Sequence, residues 1–310
     1  MDLSKYPVGS GAWLLRQLRG ASLHDKCILF LLKVIYLGIR AVLRLFLGRE
    51  GRDKFYLKYD INFGNFLYRS LEFLGLDNRV LAIFNSPKYG YKFYSPITRR
   101  LNNFLVHDVY TSMVDHEDDI VDQFSPKIGD IVIDVGAAFG FYTILASKQV
   151  GHSGKVIAIE AQPDIFNLLN RNIKLNKLSN VTSLNYAAYS EKAILKLYDT
   201  YSIIQERAGQ SLQRYTEVTA DTLDALLWRA GIKEVNWIKI DVEGAEYEVL
   251  KGATKVLSAS KSISILIEIH GKDTYQPTME LLRSHNLKVE FEKTYEKGEK
   301  HVLARKLSHW

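Results

Sequence analysis

From Ile131 onward, short apolar runs alternate with amphipathic stretches, and this alternation limits the folds open to the chain more than any other feature. The segments "IVIDV", "KVIAIE", "VTSLNY", "VNWIKID" and "ISILIEI" have the length and β-branched content of buried strands. Helices are expected between them, beginning near Phe139, Pro163, Asp221, Gly244 and Gln276. Strands that are apolar on both faces need helices on both faces, which predicts an α/β fold with a doubly wound, mostly parallel sheet. The tail "LKVEFEKTYEKGEKHVLARK" reads instead as two strands around a Glu-Lys-Gly turn, an antiparallel hairpin at the sheet edge.

Upstream the pattern is different. Residues 1–100 read as a helical, basic and aromatic region, followed by a second domain over 101–310. Within the first region, "NSPKYGYKFYSP" has the Pro and Gly of a turn and the aromatics of a short strand. The segment Cys27 to Phe46 has the length of a bilayer span but carries Lys33, Arg40 and Arg44. On a helical wheel these residues and Lys26 fall within roughly 40° of one another. A central Lys or Arg costs about 2.5–3.5 kcal/mol on insertion scales, so residues 12–47 are expected to lie on an anionic membrane surface, or to pack on a partner or on the catalytic domain, rather than span. The start, "MDLSKYPVGSGAWLLRQLRG", lacks the order of a secretory signal, and the single cysteine, Cys27, excludes an intramolecular disulfide. A cytoplasmic location is the expectation, with peripheral attachment to the cytoplasmic membrane face as the option that the basic stripe opens.

The stretch "IVIDVGAAFGFYT" ends the first strand in a loop, Gly136-Ala137-Ala138-Phe139-Gly140. In a doubly wound sheet, ligands sit at the carboxyl ends of the strands where strand order reverses. Small residues there admit close backbone approach, and the amides opening the next helix bind carboxylate or phosphate. The three-glycine dinucleotide fingerprint is absent, which weakens a pyrophosphate-binding dehydrogenase reading. Glu160 closes the second strand, where a carboxylate accepts hydrogen bonds from a ribose diol; NAD and S-adenosylmethionine are served alike.

Four segments in order, "GDIVIDVGAAFGFYT", "AIEAQPDIFNLLNRNIKLN", "IKIDVEGAEYEVLKGA" and "ILIEIHG", give a chain that resembles the FkbM-type S-adenosylmethionine-dependent methyltransferases over roughly residues 120–305. The resemblance implies a class I methyltransferase (Rossmann-like) fold and O-methylation of a hydroxyl on a sugar, lipid-linked glycan or natural product. It also implies that Asp134 and Gly136, Ala137, Phe139 and Gly140 face the methionine end of the cofactor, with Glu160 on the ribose. Asn185, in "NYAAYS", would lie beside the adenine. Two positions depart from the family pattern: Ala138 stands where Asn is usual, and Ala161 where Pro commonly follows the ribose-binding acid.

Methyl transfer to a hydroxyl is an in-line displacement at a sulfonium carbon, so the protein must align oxygen, methyl and sulfur and remove a proton. Asp241 ends the fourth strand, and Glu268 and His270 end the fifth, all on the rim that carries Gly136. Glu268 and His270, two apart, share a strand face. His270, with an unperturbed pKa of about 6.5, is the candidate base. Asp241 would position the acceptor or the cofactor's methionine end, and Glu268 would orient His270. Lys239, buried in its strand, needs a carboxylate partner. Glu243 and Glu246 suit a helix N-terminus. A divalent cation on Asp241, Glu268 and His270 is the alternative to a base.

The charge of +6 and pI near 9.1 invite a nucleic-acid substrate. The Pro-Pro-aromatic motif of amino methylation and a Pro-Cys nucleophile are both missing, and the basic stripe lacks interleaved aromatics, so nucleic acid is not the expected partner. RNA ribose 2′-O-methylation remains the alternative with the same chemistry, and a non-catalytic, membrane-tethered cofactor-binding module the alternative without it. Acceptor specificity is expected from Tyr198 to Val218 and from the aromatic N-terminal region.

Overall fold

The computed structural model describes residues 81–85, 90–96, 118–198, 215–295 and 298–306. The chain divides into two compact units, Met1–His116 and Glu117–Trp310. The basic stripe, the whole of 12–47 and most of the Tyr198 to Val218 excursion lie outside the described residues. No helix among the described residues is long and apolar enough to cross a membrane.

In the first unit, strands β1 (Leu81–Asn85) and β2 (Lys92–Pro96) pair antiparallel, from Leu81 opposite Pro96 to Asn85 opposite Lys92. Gly90, at φ +68°, precedes the second strand, and residues 86–89 of the turn expected there lie outside the described residues.

The second unit opens with a short helix, α1 (Asp118–Gln123), and then builds the expected sheet. Strands β3 (Ile131–Val135), β4 (Lys155–Ile159) and β5 (Val181–Leu184) run parallel outward to one edge. The chain then crosses to the other side of β3, where β9 (Trp237–Ile240) and β10 (Ile263–Ile269) continue the parallel set. Strand β12 (Lys300–Lys306) joins β10 antiparallel, and β11 (Lys288–Thr294) pairs with β12 at the edge. The spatial order β11-β12-β10-β9-β3-β4-β5 is the doubly wound class I arrangement expected from the sequence, hairpin included. Its order reverses between β3 and β9.

The period-two alternation of each strand assigns its residues to one of two helical layers. Ile133, Val135, Ile157, Ile159, Ile238, Ile240, Ile265 and Ile267 share one core with the helices α4 (Leu223–Arg229), α5 (Glu246–Lys251), α6 (Thr254–Ala259) and α7 (Lys272–Ser284). On the opposite face, Ala158 packs with Leu169 of α3 (Pro163–Leu175). Helix α2 (Phe141–Val150) has seven buried residues, among them Ile144, Leu145 and Ala146, so it lies deep against β3 and β4. Each fully buried Ile or Leu contributes about 1.5–3 kcal/mol, so these two layers fix the strand order.

Three features differ from the sequence expectation. Strands β6 (Ala187–Tyr189), β7 (Ala193–Tyr198) and β8 (Tyr215–Thr222) form a separate sheet in the order β6-β8-β7, over a small core of Ala187, Leu197, Val218 and Ala220. Their inward residues are few and small, so the apolar pattern is faint. Helix α4 starts at Leu223 rather than Asp221, because Thr222 caps it by accepting a bond from the Ala225 amide at 3.1 Å. Helix α7 starts at Lys272, four residues before the expected Gln276, and carries Pro277 inside. Proline there is not at the first turn, where it signals a helix start.

Candidate functional site

The site forms where strand order reverses. Gly136 follows β3 at φ +78°, and a Cβ placed on it would lie 1.8 Å from the carbonyl oxygen of Asp241, which follows β9. The glycine therefore serves a close approach of the chain to itself, joining the loop after β3 to the loop after β9. Amides 136 and 137 both bond the Ile159 carbonyl, at 2.9 and 3.0 Å. Gly140, at φ +98°, caps α2, and its Cβ would meet Leu169 Cδ1 at 2.7 Å. Ala137 and Phe139 are both 5% exposed, so their side chains belong to the core. The Phe139 carbonyl accepts a bond from Asn172 Nδ2 at 2.8 Å, which ties the loop to α3.

Two acids support this loop from below. Asp134 is buried and accepts a 2.5 Å bond from Thr143 Oγ1; burial pushes its carboxyl up to about 6 despite that bond. Glu160 accepts the Ala138 amide on Oε2 at 2.9 Å and the Gln162 amide on Oε1 at 2.8 Å. Burial pushes Glu160 up to about 7 against these two bonds. Each of its oxygens keeps a further lone pair for a hydroxyl donor. Asn185 donates its Nδ2 to the carbonyls of Glu160 and Ala161, at 2.8 and 3.0 Å, so its amide nitrogen anchors the backbone beside Glu160.

Across the switch point, Asp241, Glu268 and His270 do come together. Lys239, buried on β9 and stacked over the Tyr142 ring at 4.9 Å, pairs with Asp241 at 3.3 Å. Burial alone would raise the Asp241 carboxyl, but Lys239 and then His270 hold it below the usual carboxylate range. His270 is only 5% exposed. Its Nδ1 lies 2.9 Å from Glu246 Oε1, and its Nε2 lies 3.2 Å from Glu268 and 3.7 Å from Glu243. Burial acts to lower its pKa, yet the hydrogen bonds to Glu246 and Glu268 and the charge of Asp241 outweigh it and push the imidazole up to about 11.

This is a different group from the one an unperturbed value near 6.5 describes. At neutral pH this imidazole is charged and both nitrogens face carboxylates. Glu268, raised to about 7 by burial and then by Asp241, lies between His270 and a second histidine, His301, at 3.6 Å. Burial and Lys239 hold His301 down at about 4, so the two imidazoles flanking Glu268 are in opposite states at neutral pH.

Glu243 and Glu246 are members of this cluster, which helix-dipole placement alone does not reveal. Glu246 is fully buried and its Oε1 also accepts the Gly244 amide at 2.8 Å. Glu243 sits at φ +54° and Gly244 at φ +111°, so the chain turns sharply to aim both acids inward. The spacing Asp241-Val-Glu243-Gly-Ala-Glu246 was the available signal.

A family model for the methyltransferase FkbM domain matches residues 134–294, the span that holds every residue described above apart from His301. The chain is 27% identical over 179 residues to the hexuronic acid methyltransferase AglP of Haloferax volcanii, covering 57% of this chain and 71% of that protein. It is 26% identical over 194 residues to the methyltransferase sdnD of Sordaria araneosa, covering 51% and 71%. Among solved structures, a SAM-dependent methyltransferase from Aquifex aeolicus aligns over 61% of this chain and 88% of that one, with 19% identity and a TM-score of 0.36.

Proposed function

The chain belongs to the FkbM methyltransferase family, and from that premise we propose that it is an S-adenosylmethionine-dependent O-methyltransferase acting on a hydroxyl of a sugar, lipid-linked glycan or natural product. The observation that carries this reading is the direct backbone contact between Gly136, in the loop after β3, and Asp241, in the acidic cluster after β9. A cofactor on the first loop would thereby lie against the second. The residues fit that cofactor: Glu160 retains acceptor capacity for a ribose diol, and the loop 136–140 offers backbone to the methionine end. Oxygen as the acceptor atom is supported by the likeness to a hexuronic acid methyltransferase, whose named substrate offers hydroxyl and carboxylate oxygens, and a hydroxyl among them by the carboxylate-rich rim, which can take up its proton.

When bound, the cofactor supplies an electrophilic methyl group on a sulfonium. The chain's own part is to hold the acceptor oxygen in line with the carbon–sulfur bond and to receive the hydroxyl proton as the oxygen–carbon bond forms. Asp241, paired with Lys239 and about one-third exposed, suits positioning of the acceptor. His270 has both nitrogens engaged, so the proton passes to Glu268, the rim carboxylate that burial and then Asp241 raise to about 7. His270 then holds Glu268 in place.

The test is transfer of radiolabelled methyl from S-adenosylmethionine to glycan, lipid and RNA extracts by the full chain. Label is expected in a glycan or lipid fraction as an alkali-stable ether, with Glu268→Gln lowering turnover about a hundred- to ten-thousand-fold and leaving cofactor affinity within a few-fold. Label confined to RNA would replace the proposed acceptor with ribose. Label on nitrogen or carbon would contradict the O-directed reading.

A further inference from the structure

We propose that Asp241, Glu243 and His270 form a binding site for a first-row divalent cation, with Glu246 as the buried carboxylate that fixes the histidine. Among the described residues these three bring their ligand atoms within 4.8 Å of one another. Bonds of about 2.0–2.2 Å to a central ion need only a modest inward movement from there.

Three observations beyond proximity point to a cation. The first is the orientation of His270. Its Nδ1 is 2.9 Å from Glu246 Oε1, so the imidazole donates there and presents Nε2 to Glu243 and Glu268. A histidine that coordinates a metal through one nitrogen characteristically donates from the other to a carboxylate.

The second is the state of Glu246. It is 0% exposed, and among the described residues its Oε2 has no hydrogen-bond partner. A wholly buried carboxylate with an unmet oxygen is costly unless neighbouring positive charge offsets it.

The third is the balance of charge. Glu243, Glu246 and Glu268 all approach the His270 imidazole, and Asp241 lies beside it, paired with the Lys239 ammonium. A divalent cation at Nε2 would place two positive charges among these carboxylates, with Asp241 and Glu243 in reach of it.

Two carboxylates and an imidazole suit manganese, iron or zinc better than magnesium or calcium, which favour all-oxygen sites. Three protein ligands leave positions open for water and for an acceptor oxygen. This use of the site rests on the methyltransferase reading: the ion would bind the acceptor hydroxyl, ease loss of its proton and leave Glu268 to receive that proton. The rim would then fix the acceptor by coordination.

The experiment is a titration of the cofactor-free full chain with manganese, read by calorimetry and by electron spin-echo spectroscopy, with zinc as a competitor. One equivalent is expected to bind, with nitrogen modulation from a coordinated imidazole. Glu243→Gln changes a partly exposed residue and should fold; it is expected to abolish or greatly weaken binding. Glu246→Gln is expected to weaken it about ten- to a hundred-fold. His270→Ala, if it folds, should remove the nitrogen signal. No manganese or zinc bound to a chain that binds S-adenosylmethionine would overturn the site. So would manganese bound without nitrogen modulation, or bound equally by Glu243→Gln. Manganese binding without S-adenosylmethionine binding would leave this site standing and refute the proposed function.

Discussion

Ala138 holds a left-handed backbone, φ +48°, while its amide donates to Glu160. A residue with a Cβ pays about 1–2 kcal/mol for that conformation, and Gly or Asn adopts it more readily. Ala138→Gly should therefore gain at most about 1 kcal/mol, a rise of about 2–4 °C in thermal unfolding. A fall in melting temperature would show that the loop is not strained there. Glu160 offers a prediction with a sign. Its folded pKa of about 7 lies above the ordinary 4.5, so between these values the folded chain holds a proton that the unfolded chain has released. The stability this contributes is fully present below about pH 4.5 and is lost as pH rises through about 7. Relative to Glu160→Gln, the wild type should thus lose up to about 3 kcal/mol between those limits in denaturant titrations. An unchanged difference would mean that Glu160 is not buried as described. At this scale the sequence showed that Asp241 and Glu268 reach the rim, because strand ends are legible, but not that Glu243 and Glu246 join them there. It did not show that His270 is charged, since that depends on Glu246, twenty-four residues away in the chain.

Among the elements, the parallel strands were the most legible, because strands buried on both faces are apolar throughout. The β6-β8-β7 sheet was not, since its core is four small or medium side chains and the segment 199–214 separates two of its strands in sequence. Contacts between elements were also hidden. Asp224 of α4 accepts the amides of Lys255 and Val256 at 2.8 Å each and so caps α6 from a distance. Asp224→Ala should cost about 0.5–2 kcal/mol, measurable as a lower denaturation midpoint with unchanged slope. The Gly136 contact between the loops after β3 and β9 is tighter. Gly136→Ala combines a backbone penalty with a 1.8 Å clash and should cost about 2–4 kcal/mol. A variant as stable as the wild type would place the two loops further apart than described.

For the whole molecule, the doubly wound order follows from alternation of strands and helices, and it brings the two halves of the site to one rim without their being close in sequence. What the N-terminal unit adds belongs to residues outside the described ones. The basic stripe of Lys26, Lys33, Arg40 and Arg44 makes its own forecast: flotation of the full chain with anionic vesicles that weakens as salt rises and on charge reversal of the stripe. A chain that never floats would assign residues 12–47 to packing. The central claim is that the loop after β3 and the acid after β4 together hold S-adenosylmethionine, and calorimetric titration of the full chain tests it most directly. The account predicts one equivalent bound, affinity about ten- to a hundred-fold weaker in Glu160→Ala through loss of charge-assisted hydrogen bonds, and no binding by Gly136→Val. Tight NAD binding with none for S-adenosylmethionine, or a Gly136→Val chain that binds S-adenosylmethionine like the wild type, would contradict it.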